Sequence, residues 1–226
     1  MLRIEAEGRG QVAPLYERKH RVDAAKIVAN AELTARRRGH VWTEGQLKAT
    51  IELLLSPHAV TGIQGAAGTA KTTTVLKTYA DAARSRGLAV RAFAPTATAA
   101  DVLARAINAE PVTVAKLLAS TGDDVEPGRE AWIVDEASML SARDAARLLA
   151  CAQAAQARLI LVGDVAQLGS VEAGRSFGQL QEAGMPTHVL DQIVRQTTST
   201  PARPSRRCSL ATRPRRSPRS TGAGAR

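Results

Sequence analysis

Apolar positions along this chain follow two periods, and the switch between them outlines its organisation. Over residues 12–38, Val22, Ala25, Ile27, Val28 and Leu33 stand among charged residues at helical spacing, and Arg36-Arg-Arg-Gly39 closes the run. Thr43-Glu-Gly-Gln46 has the form of a capping box, in which side chain and backbone satisfy each other at a helix start. It opens a second predicted helix that runs to about Leu55. Short apolar runs then alternate with helical stretches. Strands are expected over 59–63, 88–94, 132–135, 158–162 and 188–190. Helices are expected from a glycine-rich loop to about Arg86, where Gly87 stops the chain, and over 97–108, 112–119, 141–155 and 173–183. Strands alternating with helices of this length indicate βαβ units and a mainly parallel sheet, so the fold class is α/β. No internal repeat is present.

Composition adjusts this picture in two places. The net charge of +10 suggests a nucleic-acid partner, but eight arginines and no Lys, Asp or Glu lie beyond Gln196. Residues 1–196 therefore carry only +2. The Pro/Ser/Arg/Thr composition of 197–226 predicts a disordered tail. The two cysteines, Cys151 and Cys208, are far apart in unlike contexts, which suits a reducing compartment and argues against a disulfide framework. No apolar stretch approaches the roughly 20 residues of a membrane span, and the start Met1-Leu-Arg-Ile-Glu has no apolar core of a signal peptide. A cytoplasmic protein with no membrane insertion is expected.

Three segments carry chemistry. In Gly65-Ala66-Ala67-Gly68-Thr69-Ala70-Lys71-Thr72-Thr73 a strand enters a loop of small residues and then a helix. That arrangement aims backbone N–H groups and a helix N-terminus at one point, which suits a polyphosphate. Lys71 would reach the β- and γ-phosphates, and the Thr72 hydroxyl would bind Mg²⁺. Ala70 stands where the usual pattern ends in glycine; it is tolerated if that position is helical and costs about 1 kcal/mol or more if φ is positive. A plain small-residue turn beside a surface lysine would look the same. In Trp132-Ile-Val-Asp135-Glu136, apolar residues deliver two carboxylates to the sheet edge. Asp135 can hold Mg²⁺ and Glu136 can polarise an attacking water; an ordinary acidic strand end is the other reading. In Leu159-Ile-Leu-Val-Gly163-Asp164-Val-Ala-Gln167 a strand again runs into a loop, whose Gln167 could touch a γ-phosphate or be a solvent-facing amide.

Together these segments resemble the RecD-like superfamily 1B DNA helicases, and most closely the helicase region of TraA/TraI-type conjugative relaxases. Asp135-Glu-Ala-Ser-Met-Leu140 resembles that group's Walker B, and Val162 to Arg175 resembles its motif III. The match runs from about Thr43 to Gln196. The resemblance implies a RecA-like P-loop ATPase domain (AAA-type) over 43–196, with 1–42 as a helical extension. It also implies roles for residues that are otherwise bland. Gln46 corresponds to the Q motif, whose amide reads adenine; otherwise it is a capping residue. Pro95, Thr96 and Thr98 fall in motif Ia, whose loop touches the single-stranded DNA backbone; without that, they form a strand-to-helix connection with Thr98 as cap. Thr113 and Lys116 fall in the next DNA-facing segment, and Arg195 matches an arginine that steadies charge on the γ-phosphate.

The implied activity is ATP-dependent 5′-to-3′ DNA unwinding, with single-stranded DNA and the conjugative-transfer machinery as partners. The resemblance stops at Gln196, so a second motor domain is expected to be missing and the tail to arise from a truncated or shifted reading frame. The chain alone is then expected to hydrolyse ATP slowly without processive unwinding. A nicking activity is not expected, because His20, His40, His58 and His188 are dispersed and the tyrosines are only Tyr16 and Tyr79. The competing reading is a nucleic-acid-binding remnant acting through its arginine tail. A small-molecule kinase is disfavoured by the acidic pair followed by Gln167.

Overall fold

The computed structural model describes Leu15, Glu17 and residues 21–37, 39–65, 72–120, 127–164 and 176–190. All lie within one compact unit, Met1–Gln196. The fold is a six-stranded sheet with helices on both faces. Its strands are β1 (Val60–Gly65), β2 (Ala89–Ala94), β3 (Pro111–Thr113), β4 (Glu130–Val134), β5 (Arg158–Gly163) and β6 (Thr187–Leu190). They lie in the order β3-β2-β4-β5-β1-β6. Every pairing is parallel, so all strand carboxyl ends reach the same edge.

The helices are α1 (Arg21–Arg37), α2 (Glu44–Leu55), α3 (Lys77–Ser85), α4 (Ala97–Ile107), α5 (Val114–Ala119), α6 (Ala142–Ala154) and α7 (Ser176–Glu182). The strand period of two sorts the core into two layers. From β4, Ala131 and Ile133 join α1, α2, α3 and α4, along with Ile160 and Val162 of β5. The alternate residues Trp132 and Val134, with Leu159 and Leu161, face α5, α6 and α7. Ala24 and Val28 of α1 lie in the first of these layers, beside Leu53 and Leu54 of α2.

The expected capping box is present in full. Thr43 Oγ1 accepts from Gln46 N at 3.2 Å, and Gln46 Oε1 accepts from Thr43 N at 2.9 Å. Gly87, at φ 79°, ends α3 as expected. The Leu88 N–H returns to Ala83 O and the Gly87 N–H to Arg84 O, the paired bonds of a left-handed helix terminus.

Two local expectations are revised. Residues 112–119 do not form one helix: Pro111–Thr113 pair with β2 as a strand, and α5 begins only at Val114. The cap of α4 is Thr96, not Thr98. Thr96 is extended at ψ 151° and accepts from Ala99 N at 3.2 Å, whereas Thr98 lies inside the first turn. An N-cap must sit outside the helical region, and the chain turns helical at Ala97.

Candidate nucleotide site at the carboxyl edge of the sheet

β1 delivers Gly65, buried and in register with Leu190 of β6, to the carboxyl edge of the sheet. Ala66, Ala67, Gly68, Thr69, Ala70 and Lys71 lie outside the described residues, as do Gln167 and Arg195. The backbone resumes at Thr72, where Thr72–Leu76 wind as a π-helical turn that includes Thr73 and continues into α3. Such turns are rare and concentrate at functional sites. Thr74, Val75 and Leu76 are buried, so the start of this helix is fixed against the core.

β4 emerges at the same edge, separated from β1 by β5. Its last residues, Ile133 and Val134, are fully buried, and Asp135 and Glu136 follow half-buried. The Asp135 N–H donates to Phe93 O at 2.9 Å, which carries the ladder with β2 one residue past the strand. Asp135 Oδ1 accepts the Glu136 N–H at 2.9 Å. Glu136 adopts a left-handed backbone at φ 53°, a conformation that costs a residue with a Cβ about 1–2 kcal/mol. The Glu136 carboxyl is held above its usual pKa, first by desolvation and then by the negative charge of Asp135. This acid sits on a strained backbone with a raised proton affinity, beside a second carboxylate, which is the environment of a general base or water-positioning group.

The turn Ala137–Met139 links this acidic pair to the end of β5, a connection that sequence reading missed. Ser138 Oγ accepts the Asp164 N–H at a long 3.5 Å. A Cβ built on Gly163 would stand 3.2 Å from Ser138 N and 3.1 Å from the Phe177 ring. Ser176, at the start of α7, donates Oγ to Leu140 O at 2.8 Å in a buried setting. The loop after β4, the end of β5 and the start of α7 therefore interlock. The available signal was Gly163 between two apolar residues and Asp164, which marks close backbone approach.

The other sequence-predicted residues fall into two groups. Gln46 is buried at the N-terminus of α2, where its amide closes the capping box. Pro95, Thr96 and Thr98 follow β2, while Thr113 caps α5 by accepting Lys116 N at 3.2 Å. Thr96, Thr98 and Lys116 are exposed, and Pro95 and Thr113 are half-buried. Thr113 ends β3 and the other four lie beyond the carboxyl ends of β2 and β3, adjacent strands of the same sheet. In open α/β sheets ligands bind at that edge. Among the described residues, no group of three or more His, Cys, Asp or Glu side chains could hold a metal. The hard oxygen of Asp135 suits Mg²⁺, which takes few protein ligands when phosphates supply the rest. Among the described residues, no helix is long and apolar enough to cross a membrane.

Comparison with known proteins identifies relatives of this chain. The family model described as AAA domain matches residues 41–214. The conjugal transfer protein TraA of Rhizobium radiobacter is 31% identical over 179 residues, 78% of this chain. The ATP-dependent RecD2 DNA helicase of Deinococcus radiodurans is 38% identical over 154 residues, 65% of this chain. Among solved structures, Pif1 helicase from Candida albicans matches with a TM-score of 0.49 and 19% identity, covering 70% of this chain and 41% of that one. The chain spans 16% of the length of that TraA and 21% of that RecD2. With most of its length matched by one family model, this chain belongs to the AAA domain family.

Proposed function

We propose that this chain is the ATP-binding and ATP-hydrolysing first motor domain of a 5′-to-3′ DNA helicase of the conjugative-transfer type. The observation that carries this reading is the pair Asp135-Glu136 at the carboxyl end of β4, on the edge to which β1 brings the glycine-rich segment. Backbone N–H groups of residues 65–73 cradle the phosphates, and Lys71 offsets the charge of the β- and γ-phosphates. Thr72 and Asp135 would hold Mg²⁺, which would supply positive charge to offset the negative charge of the phosphates. Glu136 orients and polarises the attacking water, while Gln167 and Arg195 contact the γ-phosphate.

Gln46 reads the adenine edge with the amide that also closes the capping box. Pro95, Thr96, Thr98, Thr113 and Lys116 grip the backbone of single-stranded DNA. The ATPase domain occupies 43–196, between a helical extension and an arginine-rich tail, in a cytoplasmic protein that works with the conjugative-transfer machinery. The relatives named "conjugal transfer" and "DNA helicase" support this reading.

The test is ATP turnover with and without single-stranded DNA, in wild type and Lys71→Ala. Turnover that rises with DNA and disappears in the variant supports the motor reading. Turnover absent from wild type, or unaffected by the substitution, overturns it.

A further inference from the structure

One short helix touches the ends of three neighbouring strands. α7 packs on the face of the sheet where β4, β5 and β1 lie side by side. Ser176 Oγ donates to Leu140 O, in the loop after β4, at 2.8 Å. The Phe177 ring lies against Gly163, the last residue of β5. Gln181 Nε2 donates to Gln64 Oε1 at 2.7 Å, and Gln64 is the β1 residue immediately before Gly65. We propose that Gln181 is a positioning residue for ATP hydrolysis. Through Gln64 it sets the end of β1 relative to the loop after β4. The inference rests on the nucleotide reading above and adds to it a residue which that reading does not use.

The sheet alone leaves this spacing open. β1 and β4 are not neighbours, because β5 lies between them. The β4 ladder with β5 runs only to Val134 and Leu161, and the β1 ladder with β5 only to Gln64 and Gly163. Beyond those pairs no strand pairing joins the phosphate-bearing side to the acid-bearing side. α7 does so, with Ser176 at one end and Gln181 at the other.

The chemistry of the tie suits positioning. Gln64 is in register with Gly163, so both face α7, while Ile63 enters the opposite core layer. α7 is held to this face by the buried side chains of Phe177 and Leu180. Apolar packing is non-directional and lets a helix slide, whereas a bond between two planar amides has a preferred length and direction. Both glutamines are half-buried, where a satisfied polar pair specifies one arrangement and an unsatisfied one is costly. Phosphate affinity is a matter for the segment that β1 enters. Turnover also requires the acid after β4 at the right distance, and a displacement of about 1 Å can cost up to about 10²-fold.

The test measures ATP turnover and thermal midpoint for the full chain and three variants. Gln181→Leu keeps the approximate volume and the helix but removes the bond. Its kcat should fall about tenfold while KM stays near that of wild type. Its midpoint should drop by no more than about 4 °C, the loss of one hydrogen bond. Gln181→Glu should recover most of the turnover, because the Gln64 amide can turn and donate to the new carboxylate. Gln64→Glu/Gln181→Glu has no donor and should fall back to the level of Gln181→Leu. A wild-type kcat in Gln181→Leu or in the double variant overturns the inference, as does Gln181→Glu performing no better than Gln181→Leu. A KM that rises as far as kcat falls, or a much larger drop in midpoint, marks a merely structural role and also overturns it. Turnover absent from wild type instead overturns the nucleotide reading itself.

Discussion

Glu136 donates its backbone N–H to Oδ1 of Asp135 at 2.9 Å, from a left-handed conformation at φ 53°. The bond fixes the Asp135 carboxylate and the strain fixes the direction of the Glu136 side chain, so the two acids are set as one unit. The Glu136 carboxyl has a raised proton affinity, with burial as the first cause and the charge of Asp135 as the second. If Glu136 positions the attacking water, Glu136→Gln should lower kcat by about 10²- to 10⁴-fold while ATP still binds. Single-turnover hydrolysis alongside equilibrium nucleotide binding separates the two effects.

The same strain predicts an opposite change in stability. Asn tolerates the left-handed region better than Glu, so Glu136→Asn should raise folding stability by about 0.5–1 kcal/mol. It should also abolish turnover. Denaturant midpoints of wild type and variant check this, and a variant less stable than wild type would show that the local conformation stores no strain.

Legibility in the sequence depended on whether a feature is set by neighbours in the chain or by distant ones. The box at Thr43 and Gln46 is local and could be read directly, as could the apolar runs of β4 and β5. β3 could not, because Pro111-Val-Thr113 is too short to show a period and is a strand only through its pairing with β2. Thr96 and Thr98 are chemically alike, and only the backbone angle decides which one caps α4. The acidic pair was visible, but its strain was not, since Glu carries no preference for positive φ. The contact of Ser138 and Phe177 with Gly163 joins segments far apart in sequence, and a single chain gives no cue to it beyond the glycine itself.

That contact makes Gly163 sensitive to a single methyl group. An added Cβ would meet the Phe177 ring at 3.1 Å and Ser138 N at 3.2 Å, tighter than ordinary packing. Phe177 is fully buried and Ser138 N is backbone, so neither yields freely. Gly163→Ala should cost about 1–3 kcal/mol. Shrinking the ring in Gly163→Ala/Phe177→Leu should recover part of that cost relative to the sum of the two single variants. Strict additivity in a double-mutant cycle would sink the contact as the cause.

His188 on β6 gives the fold a pH dependence. Its Nδ1 lies 3.2 Å from Glu52 Oε2 of α2, yet burial, helped by the charge of Lys48, holds its pKa below the usual value; Glu52 opposes this only in part. The unfolded chain therefore binds this proton more readily than the folded one. The contribution is present above about pH 6.5 and is lost as pH falls below that, towards the lower folded value. His188→Gln should make the fall in denaturant midpoint between neutral and mildly acidic pH shallower. An unchanged slope would assign the acid sensitivity elsewhere.

At the opposite edge of the sheet, stability can be altered without touching the candidate nucleotide site. Arg158 opens β5 with only 5% of its surface exposed. It donates Nε to Tyr79 Oη at 3.2 Å and Nη2 to Ser56 O at 2.7 Å, tying α3 and the end of α2 to the strand. Burial raises the Tyr79 pKa, although the adjacent guanidinium pulls it down. Tyr79→Phe removes the acceptor that Arg158 Nε uses and should cost about 1–3 kcal/mol. The raised pKa adds a second signature. The folded phenol resists ionisation while the unfolded one ionises near pH 10, so wild type loses stability as pH rises beyond that point. The Phe variant should start less stable at neutral pH and decline less at alkaline pH, so the two curves converge. Parallel curves would mean that the hydroxyl contributes only through its hydrogen bond, with no ionisation linked to folding.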